Sequence, residues 1–173
     1  MRKCFFPIRL LYVRFLCRLG LAIDISSSMA YPAGALSNFT HFEFSFRGFH
    51  VASMEGLLQG LKFSDAKKQA DIFKLIGVKA KRKGAKSKWK DTQTIYWQGV
   101  AMARESDEYK ALLREAYDAL ATNAEFRAAL LATGRKRLFH TMGKTDPKKT
   151  VLTEKEFCKL LTDVRSRLWS SDL

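Results

Sequence analysis

Three polar side chains of different chemistry lie on one side of the segment Ser53-Met-Glu-Gly-Leu-Leu-Gln-Gly-Leu-Lys-Phe63. At about 100° per residue in a helix, Glu55, Gln59 and Lys62 fall within about 60° of one another, away from the apolar face. A carboxylate can act as a general base or stabilise a developing cation, and an ammonium can donate a proton or supply a nucleophilic amine. The segment is therefore a candidate catalytic stripe. The alternative is a solvated polar face.

Two glycines, Gly56 and Gly60, flank this stripe on its other side. Each destabilises a helix interior by about 1 kcal/mol relative to alanine, a cost often tolerated where something must approach the backbone closely. Glu55 also lies in the first turn, where the helix dipole favours its ionised form. We therefore expect a carboxylate, an amide and an ammonium to line one groove with no bulk beside them.

Positive charge is concentrated in the segment that follows. Residues 62–90 hold eleven Lys and Arg against two Asp, and they contribute +9 of the chain's net charge of +14. Three aromatic side chains lie at its end or just beyond it: Trp89, Tyr96 and Trp97. Rings beside cations suit a ligand with a flat base and phosphates, or a single-stranded nucleic acid. The alternatives are a solvated lysine-rich surface and core packing for the last two rings.

Composition indicates one globular domain. The chain has 173 residues, of which 47% are apolar and 28% charged, and a chain of this size can bury a core without disulfides or metal. Its three cysteines and three histidines are scattered, with no CxxC pair and no HExxH motif. We therefore expect no zinc site, no disulfide framework and no cofactor, and a reducing, cytoplasmic setting.

The first twenty residues are apolar but interrupted by Arg9, Arg14 and Arg18, and they hold five basic and no acidic side chains. A transmembrane helix needs about 20 predominantly apolar residues, and a signal peptide needs an unbroken apolar core. We therefore expect residues 1–20 to form an N-terminal extension without stable membrane insertion, and residues 21–169 to form the single domain. An amphipathic presequence and a membrane-surface element are the alternatives to a simple tail.

The stripe and the basic segment need elements that position them, and apolar spacing and capping residues predict those elements. Alternation predicts a strand at 21–26 and a β-hairpin from Phe42 to Val51 that turns at Arg47-Gly48. Helical spacing and caps predict helices at 53–63, 64–77, 106–120 and 123–131, a basic loop or frayed helix at 78–91, and a last helix opened by a capping box at Thr153 and Glu156. The prediction is an α+β fold in which a small N-terminal β-sheet or hairpin packs with a mostly helical body.

An ordered series of short motifs resembles the NADAR (YbiA-like) family. The series begins with Leu36-Ser-Asn-Phe39, Phe46-Arg-Gly-Phe49 and Ser53-Met-Glu-Gly-x-x-Gln-Gly-x-Lys-Phe63. It continues with Ala80-Lys81-x-x-Gly84, Trp89, Ala128-x-Leu-Leu-Ala-Thr-Gly134 and Leu160-Leu-x-x-Val-Arg-x-x-Leu168. The resemblance covers about residues 21–169, and the order of the motifs makes it specific.

The resemblance implies a compact α+β N-glycosidase that needs no metal. Family members act on ribosides whose sugar C1 is bonded to nitrogen. One group is similar to enzymes that remove ADP-ribose from guanine bases, and another cleaves phosphorylated ribosylamino-pyrimidine intermediates of riboflavin synthesis. By position, Glu55 corresponds to the catalytic glutamate, Lys62 to the motif lysine, Asn38 to the asparagine of the Ser-Asn-Phe motif, and Trp89 to the tryptophan expected at the ligand pocket.

The remaining site residues follow from the same resemblance. Gln59 and Lys81 are expected to bind substrate. The chain departs from the family pattern before the last helix, where residues 143–157 replace a Trp-Gly and Gly-x-Asn-x-Leu-Gly segment. Asp146 is the nearest candidate for the acidic and asparagine ligands of that segment.

The expected mechanism uses one carboxylate near C1, because N-glycoside cleavage passes through a cation-like sugar that water attacks on one face. Glu55 would act as the base for water and as the electrostatic stabiliser. Lys62 would orient Glu55, protonate the leaving base, or form a Schiff base with the opened sugar. Lys79 and Lys81 would neutralise the pyrophosphate.

The expected partner is an ADP-ribosylated guanine or another ribosyl nucleotide, with DNA or RNA as a further partner of the 62–90 segment. The alternative function is a basic nucleic-acid-binding module without catalytic activity.

Overall fold

The computed structural model describes residues 5–171, with side chains from 8 to 170. Cys4, one of the three cysteines expected to be plain thiols, lies outside these residues, whereas Cys17 and Cys158 carry free thiols. The helices are α1 (Phe5–Arg18), α2 (Met54–Gly60), α3 (Ala66–Phe73), α4 (Gly77–Gly84), α5 (Trp89–Thr92), α6 (Asp107–Leu120), α7 (Ala124–Ala132) and α8 (Glu154–Ser171). The strands are β1 (Ala22–Asp24), β2 (Phe44–Phe46), β3 (Phe49–Val51), β4 (Thr94–Trp97), β5 (Val100–Ala103) and β6 (Arg137–Phe139), and a 3-10 helix covers Pro147–Lys149.

The strands form three separate two-stranded ladders. β2 pairs with β3 and β4 pairs with β5 in antiparallel hairpins, whereas β1 pairs with β6 in parallel. The α+β fold and the first hairpin are therefore as predicted. The expectation of one N-terminal sheet is corrected, because the partner of β1 is β6, from the far end of the chain. The sequence also did not predict β4, β5 and β6.

Helix α2 begins where its cap predicts and is buried along its whole length. The Ser53 hydroxyl accepts a hydrogen bond from the Gly56 N–H at 3.0 Å and donates to the Leu75 carbonyl at 2.9 Å. The helix ends at Gly60 rather than at Phe63. A buried short helix gains its stability from packing rather than from its own propensity, which explains why two interior glycines are tolerated.

The two glycines of α2 accommodate the protein itself and not a ligand. A Cβ at Gly56 would lie 2.5 Å from the Leu75 carbonyl oxygen, and one at Gly60 would lie 2.5 Å from the Phe73 ring. The expected close approach to the helix backbone is therefore made by the protein itself, and the expectation of no bulk beside the stripe is wrong on that side. The end of α3 fills that side, and the ring of Phe73 in turn stacks on Trp97 with centroids 5.9 Å apart.

The basic segment is more helical than predicted. The helix expected at 64–77 ends at Phe73, and Gly77 has a positive φ of 49° and opens α4 instead of closing α3. α4 then carries four basic side chains over one turn, and α5 follows at Trp89. Because Ala80 and Gly84 are the buried positions of α4, the lysines between them face outward or toward the neighbouring cavity.

The later helices match their predicted caps and faces. α6 buries the predicted apolar stripe, and the Ser106 hydroxyl accepts from the Tyr109 N–H at 3.2 Å. At the start of α8, the Thr153 N–H donates to the Glu156 carboxylate at 2.7 Å and the Glu156 N–H donates back to the Thr153 hydroxyl at 3.2 Å. This reciprocal pair is the predicted capping box.

Helix α1 packs on the domain rather than trailing from it. Val13 is buried with Ala22 of β1 and Phe139 of β6, and the Arg9 guanidinium forms an ion pair with Glu154 of α8. The simple tail expected for residues 1–20 is therefore not what residues 5–18 form. No helix within residues 5–171 is long and apolar enough to cross a membrane.

Candidate active site

One cavity of about 510 Å³ opens beside α2, a volume within the range typical of small-molecule sites. α2 forms one wall, and the α4 and α5 region forms the second. Loops at 26–27, 37–39 and 140–152 close the remainder, together with Phe157 of α8. Six of the seven residues expected at the site line this cavity: Asn38, Glu55, Gln59, Lys62, Lys81 and Trp89.

The predicted catalytic stripe is a chain of hydrogen bonds along α2. The Gln59 amide donates to Glu55 Oε1 at 2.8 Å, and the Lys62 ammonium donates to the Gln59 carbonyl oxygen. Glu55 is only 7% exposed, so the alternative of a solvated polar face is excluded for it. The other carboxylate oxygen of Glu55 has no hydrogen-bond partner among residues 8–170, which leaves it available to a water or a ligand in the cavity.

Helix α4 holds the central amide of this chain in place. A Cβ at Gly84 would lie 1.8 Å from Gln59 Oε1 and 2.8 Å from Gln59 Cβ. α4 therefore approaches α2 as closely as a glycine allows. The glycine that ends the Ala80–Gly84 motif therefore leaves the space that the Gln59 side chain occupies.

The two charged ends of the chain have shifted pKa values. Burial raises the pKa of Glu55 above its usual value, against the opposing effects of Lys81, the Gln59 hydrogen bond, Lys62 and His140. Burial lowers the pKa of Lys62 to about 8, helped by Lys90, Lys81 and Lys144 and opposed by Glu55. Both groups can therefore change protonation nearer to neutral pH than an exposed glutamate or lysine can, as acid–base catalysis requires.

Cations outnumber anions in the cavity lining. Five lysines face one glutamate: Lys62, Lys81, Lys90, Lys144 and Lys149. All except the half-buried Lys62 are exposed at the mouth of the cavity. An exposed ring of cations around a buried carboxylate suits a ligand whose phosphates remain near the surface while its sugar enters.

Two lysines of the cavity lining lie over aromatic rings. The Lys62 Nζ lies 5.8 Å from the centroid of Trp89, and the Lys81 Nζ lies 5.0 Å from the centroid of Phe39. Trp89 is 4% exposed, so only a small part of its ring faces the cavity. By contrast Trp97 packs in the core against Phe46, Phe49 and Phe73, as its alternative interpretation predicted.

Asn38 is fixed at two points. Its backbone carbonyl accepts from the Glu55 N–H at 2.9 Å, and its side-chain oxygen accepts from the Tyr117 hydroxyl at 2.8 Å. Tyr117 is fully buried in α6, and burial raises its pKa well above the usual value, so it remains a hydrogen-bond donor. With its oxygen engaged, the Asn38 amide can present its N–H donors to a ligand.

His140 is a site residue that sequence reasoning missed. Its Nδ1 lies 2.7 Å from the Ile25 carbonyl oxygen, and because a carbonyl only accepts, Nδ1 carries the proton. Its ring packs edge-on against Phe157 with centroids 5.2 Å apart. Nε2 has no hydrogen-bond partner in the described part of the chain and is therefore free to exchange a proton. No motif marks this residue, which follows β6 and reaches the cavity only because β6 pairs with β1.

The segment that departs from the family pattern contributes lysines in place of Asp146. Asp146 accepts a hydrogen bond from the Lys148 N–H at 2.9 Å and caps the 3-10 helix, and it does not line the cavity. Lys144 and Lys149 line it instead. Lys79, which was expected to neutralise a pyrophosphate, is exposed and also outside the lining.

No group of three or more metal-ligating side chains occurs in the part of the chain that the structure describes. The cavity lining offers a carboxylate, an amine, an imidazole and amide donors.

Comparisons with known proteins cover most of the chain. Residues 30–166 match the family model described as bacteriophage protein GP30.3. An uncharacterized 17.1 kDa protein of the Gp30-rIII intergenic region of enterobacteria phage T4 is 36% identical over 149 residues, which span 84% of this chain and 98% of that protein. The NMR structure of YbiA from E. coli aligns with a TM-score of 0.60 at 21% identity and covers 88% of each chain.

Proposed function

Because this chain belongs to the family of bacteriophage protein GP30.3 and shares the fold of YbiA, we propose that it is an N-glycosidase of phosphorylated ribosides. The resemblance to the NADAR (YbiA-like) family that the motifs predicted is confirmed. The proposed reaction is hydrolysis of the bond between ribose C1 and a base nitrogen. The substrate is ADP-ribose attached to guanine, in a nucleotide or a nucleic acid, or a phosphorylated ribosylamino-pyrimidine.

The main support for this proposal is Glu55, a buried carboxylate that opens onto a cavity ringed by lysines. In the proposed reaction the C1–N bond breaks as a water oxygen bonds to C1. Glu55 accepts the proton of that water, and the leaving nitrogen gains a proton. A carboxylate next to C1 also stabilises the positive charge that develops on the sugar, and burial strengthens this effect.

Lys62 is best described as a positioning residue. Its ammonium donates to the Gln59 carbonyl, and Gln59 in turn donates to Glu55, so the cation reaches the carboxylate through the amide. This geometry supports the orienting role among the three that the sequence left open. The Schiff-base role would first require the amine to release both its proton and its contact with Gln59.

The other lining residues are proposed to bind the two ends of the substrate. Lys81, Lys90, Lys144 and Lys149 hold phosphate oxygens at the mouth, where exposed cations are concentrated. The Asn38 amide donates to ribose hydroxyls or to the base. His140 donates the Nε2 proton of its doubly protonated imidazolium form to the leaving base and becomes the neutral ring, since the Nδ1 proton is committed to Ile25.

The first experiment replaces the carboxylate by its amide. We expect Glu55→Gln to fold normally and to lose at least about a thousandfold of the rate of ADP-ribose release from ADP-ribosylated guanosine, because an amide accepts no proton from water. Mass spectrometry of the released ADP-ribose measures the rate. The matched control is Glu43→Gln, which makes the same change at an exposed glutamate and should retain full activity. Near-normal turnover by the Glu55 variant would refute the assignment.

A second candidate function is nucleic-acid binding without chemistry, and the exposed cations of α3 and α4 favour it. Lys67, Lys68, Lys74, Lys79, Arg82 and Lys83 are all exposed. If these side chains hold several phosphates, the logarithm of the affinity for plain DNA or RNA oligomers falls steeply with the logarithm of salt concentration, because bound counterions are released. A flat salt dependence, or an affinity unchanged by Lys79→Gln with Lys83→Gln, would exclude this function.

A further inference from the structure

Helix α1 has a second apolar face that the domain does not cover. Its inner face packs through Val13 on β1 and β6, and Arg9 pairs with Glu154. These contacts fix which side of α1 points away from the protein. The outward side carries large apolar side chains at helical spacing, each between 50% and 64% exposed: Ile8, Leu11, Tyr12, Phe15 and Leu19.

This outer stripe concentrates the exposed apolar surface of the molecule. At about 100° per residue its five side chains fall within an arc of about 100°. Together with Leu21 they supply six of the thirteen exposed large apolar side chains in the described chain. Soluble monomers seldom expose a contiguous patch of this kind unless something binds it.

Cations border the outer stripe. Arg18 projects about 20° from Leu11 around the helix, and Arg14 lies one turn earlier on the same border. Both arginines are exposed, and residues 1–20 contain no acidic side chain. The helix lies outside residues 30–166, which match the family model, so the family's shared machinery does not account for it.

We propose that the outer stripe of α1 docks this protein on an anionic lipid surface. The partner must have an apolar phase into which Leu11 and Phe15 insert, and negative charges that attract Arg14 and Arg18. A bilayer containing anionic headgroups supplies both. A second copy of the chain would bring the arginines of two stripes and two net charges of +14 together. Nucleic acid would supply anions without an apolar phase. The helix lies in the interface plane and does not span the bilayer.

The test is co-sedimentation of the full chain with vesicles at low and moderate salt. The vesicles are phosphatidylcholine alone, or phosphatidylcholine with about one third phosphatidylglycerol. We expect the protein to sediment with the anionic vesicles, and the double variant Leu11→Ser with Phe15→Ser to bind at least about tenfold more weakly. Arg14→Gln with Arg18→Gln should reduce binding to the anionic vesicles and weaken the preference for them. Both pairs are exposed, so the fold should be retained, as circular dichroism would report.

The matched control is Val100→Thr, which removes an equally exposed apolar side chain from β5 and should leave vesicle binding unchanged. Failure of the unmodified protein to bind anionic vesicles overturns the proposal. So does binding that the stripe variant retains in full, since lysines elsewhere would then explain it. A dimer that forms without lipid and that the stripe variant abolishes would assign the surface to a second copy instead.

Discussion

Gln59 lies between the two charged side chains that the proposed reaction uses. Its amide donates to Glu55 and its carbonyl accepts from Lys62, so one neutral side chain orients both. Its own position depends on Gly84, where even a Cβ would collide with it. A residue with no side chain therefore sets the geometry of the site.

Gly84→Ala tests this dependence. The added methyl group should displace the Gln59 side chain and loosen its bonds to Glu55, and a misplacement of about 1 Å can reduce turnover by about a hundredfold. The new Cβ would also lie 2.8 Å from Gln59 Cβ at the buried contact of α4 with α2, so the free energy of unfolding should fall by about 1–3 kcal/mol as well. Steady-state kinetics and denaturant unfolding measure the two effects. Val78→Ala, at an exposed position of the same helix, is the control. An unchanged kcat in Gly84→Ala would show that Gly84 does not control turnover through the position of Gln59.

The pH dependence of turnover should have an alkaline limb due to Lys62. Burial lowers its pKa to about 8, and the ammonium form is the stronger donor to Gln59 and the form whose charge acts on Glu55. Activity should therefore fall as pH rises through about 8, and on the acid side it should fall as Glu55, whose pKa burial raises, becomes protonated. The measurement is kcat from about pH 5 to about pH 10. Lys62→Gln should be slower and lack the alkaline limb, and an identical limb in that variant would contradict the role of Lys62.

The part of the site that sequence predicts is the part made by local geometry. Glu55, Gln59 and Lys62 belong to one stretch of chain, and helical spacing alone places them together. His140, Lys144 and Lys149 arrive through the pairing of β6 with β1 and the loop after it, which no local spacing reveals. Asp146 was chosen by its position in the sequence, and the local cap it forms removes it from the cavity.

At the scale of elements, the two hairpins show that the flanking strands decide whether a hairpin can be predicted from sequence. Both turns have positive φ at two successive residues, at Arg47-Gly48 and at Gln98-Gly99. Neither turn carries the Asn or Asp that usually marks this position. The first was predicted because alternating phenylalanines flank it, whereas β4 and β5 lack that alternation. β6 is no shorter than β1, β2 or β3, but its residues Arg137-Leu-Phe139 do not alternate, so no pattern marks it. Helices with caps were predicted well because their signals are local.

Arg104, directly after β5, connects that hairpin to the last helix. It is 1% exposed, donates to the Thr150 carbonyl at 2.9 Å, and makes two hydrogen bonds to Glu156 at 3.1 and 2.6 Å. Burial tends to raise the pKa of Glu156, but Arg104 and Thr153 together outweigh it and hold that pKa below its usual value.

Arg104→Met should lower the free energy of unfolding by about 3 kcal/mol at neutral pH, because it leaves a half-buried carboxylate without its cation. A carboxylate with a lowered pKa stabilises the fold above its unfolded-state pKa and loses that contribution as pH falls through its folded-state pKa. The difference between variant and wild type should therefore shrink below about pH 4. Denaturant unfolding at both pH values measures it, with exposed Arg82→Met as the control. A loss below about 0.5 kcal/mol at neutral pH would mean that the pair is energetically neutral.

At the scale of the whole molecule, the net charge of +14 has a spatial arrangement that composition only partly predicts. The basic segment was identified from the sequence, and the structure resolves it into helices that contribute Lys81 and Lys90 to the cavity mouth. The further lysines of the mouth, Lys144 and Lys149, come from a stretch that is more than eighty positions away from the predicted catalytic stripe. The family resemblance placed that stretch at the site, but it pointed to Asp146 and not to these lysines.

The parallel pairing of Ala22–Asp24 with Arg137–Phe139 also affects how the protein folds during its synthesis. Two thirds of the polypeptide lies between these strands, so the contact is of very high sequence separation and its closure is entropically costly and late. Ile25 and His140, which meet just beyond this pairing, cannot do so until His140 has left the ribosome. A product that ends before His140 would therefore hold Glu55 without its imidazole neighbour, and the proposed hydrolysis would lack the group assigned to that position.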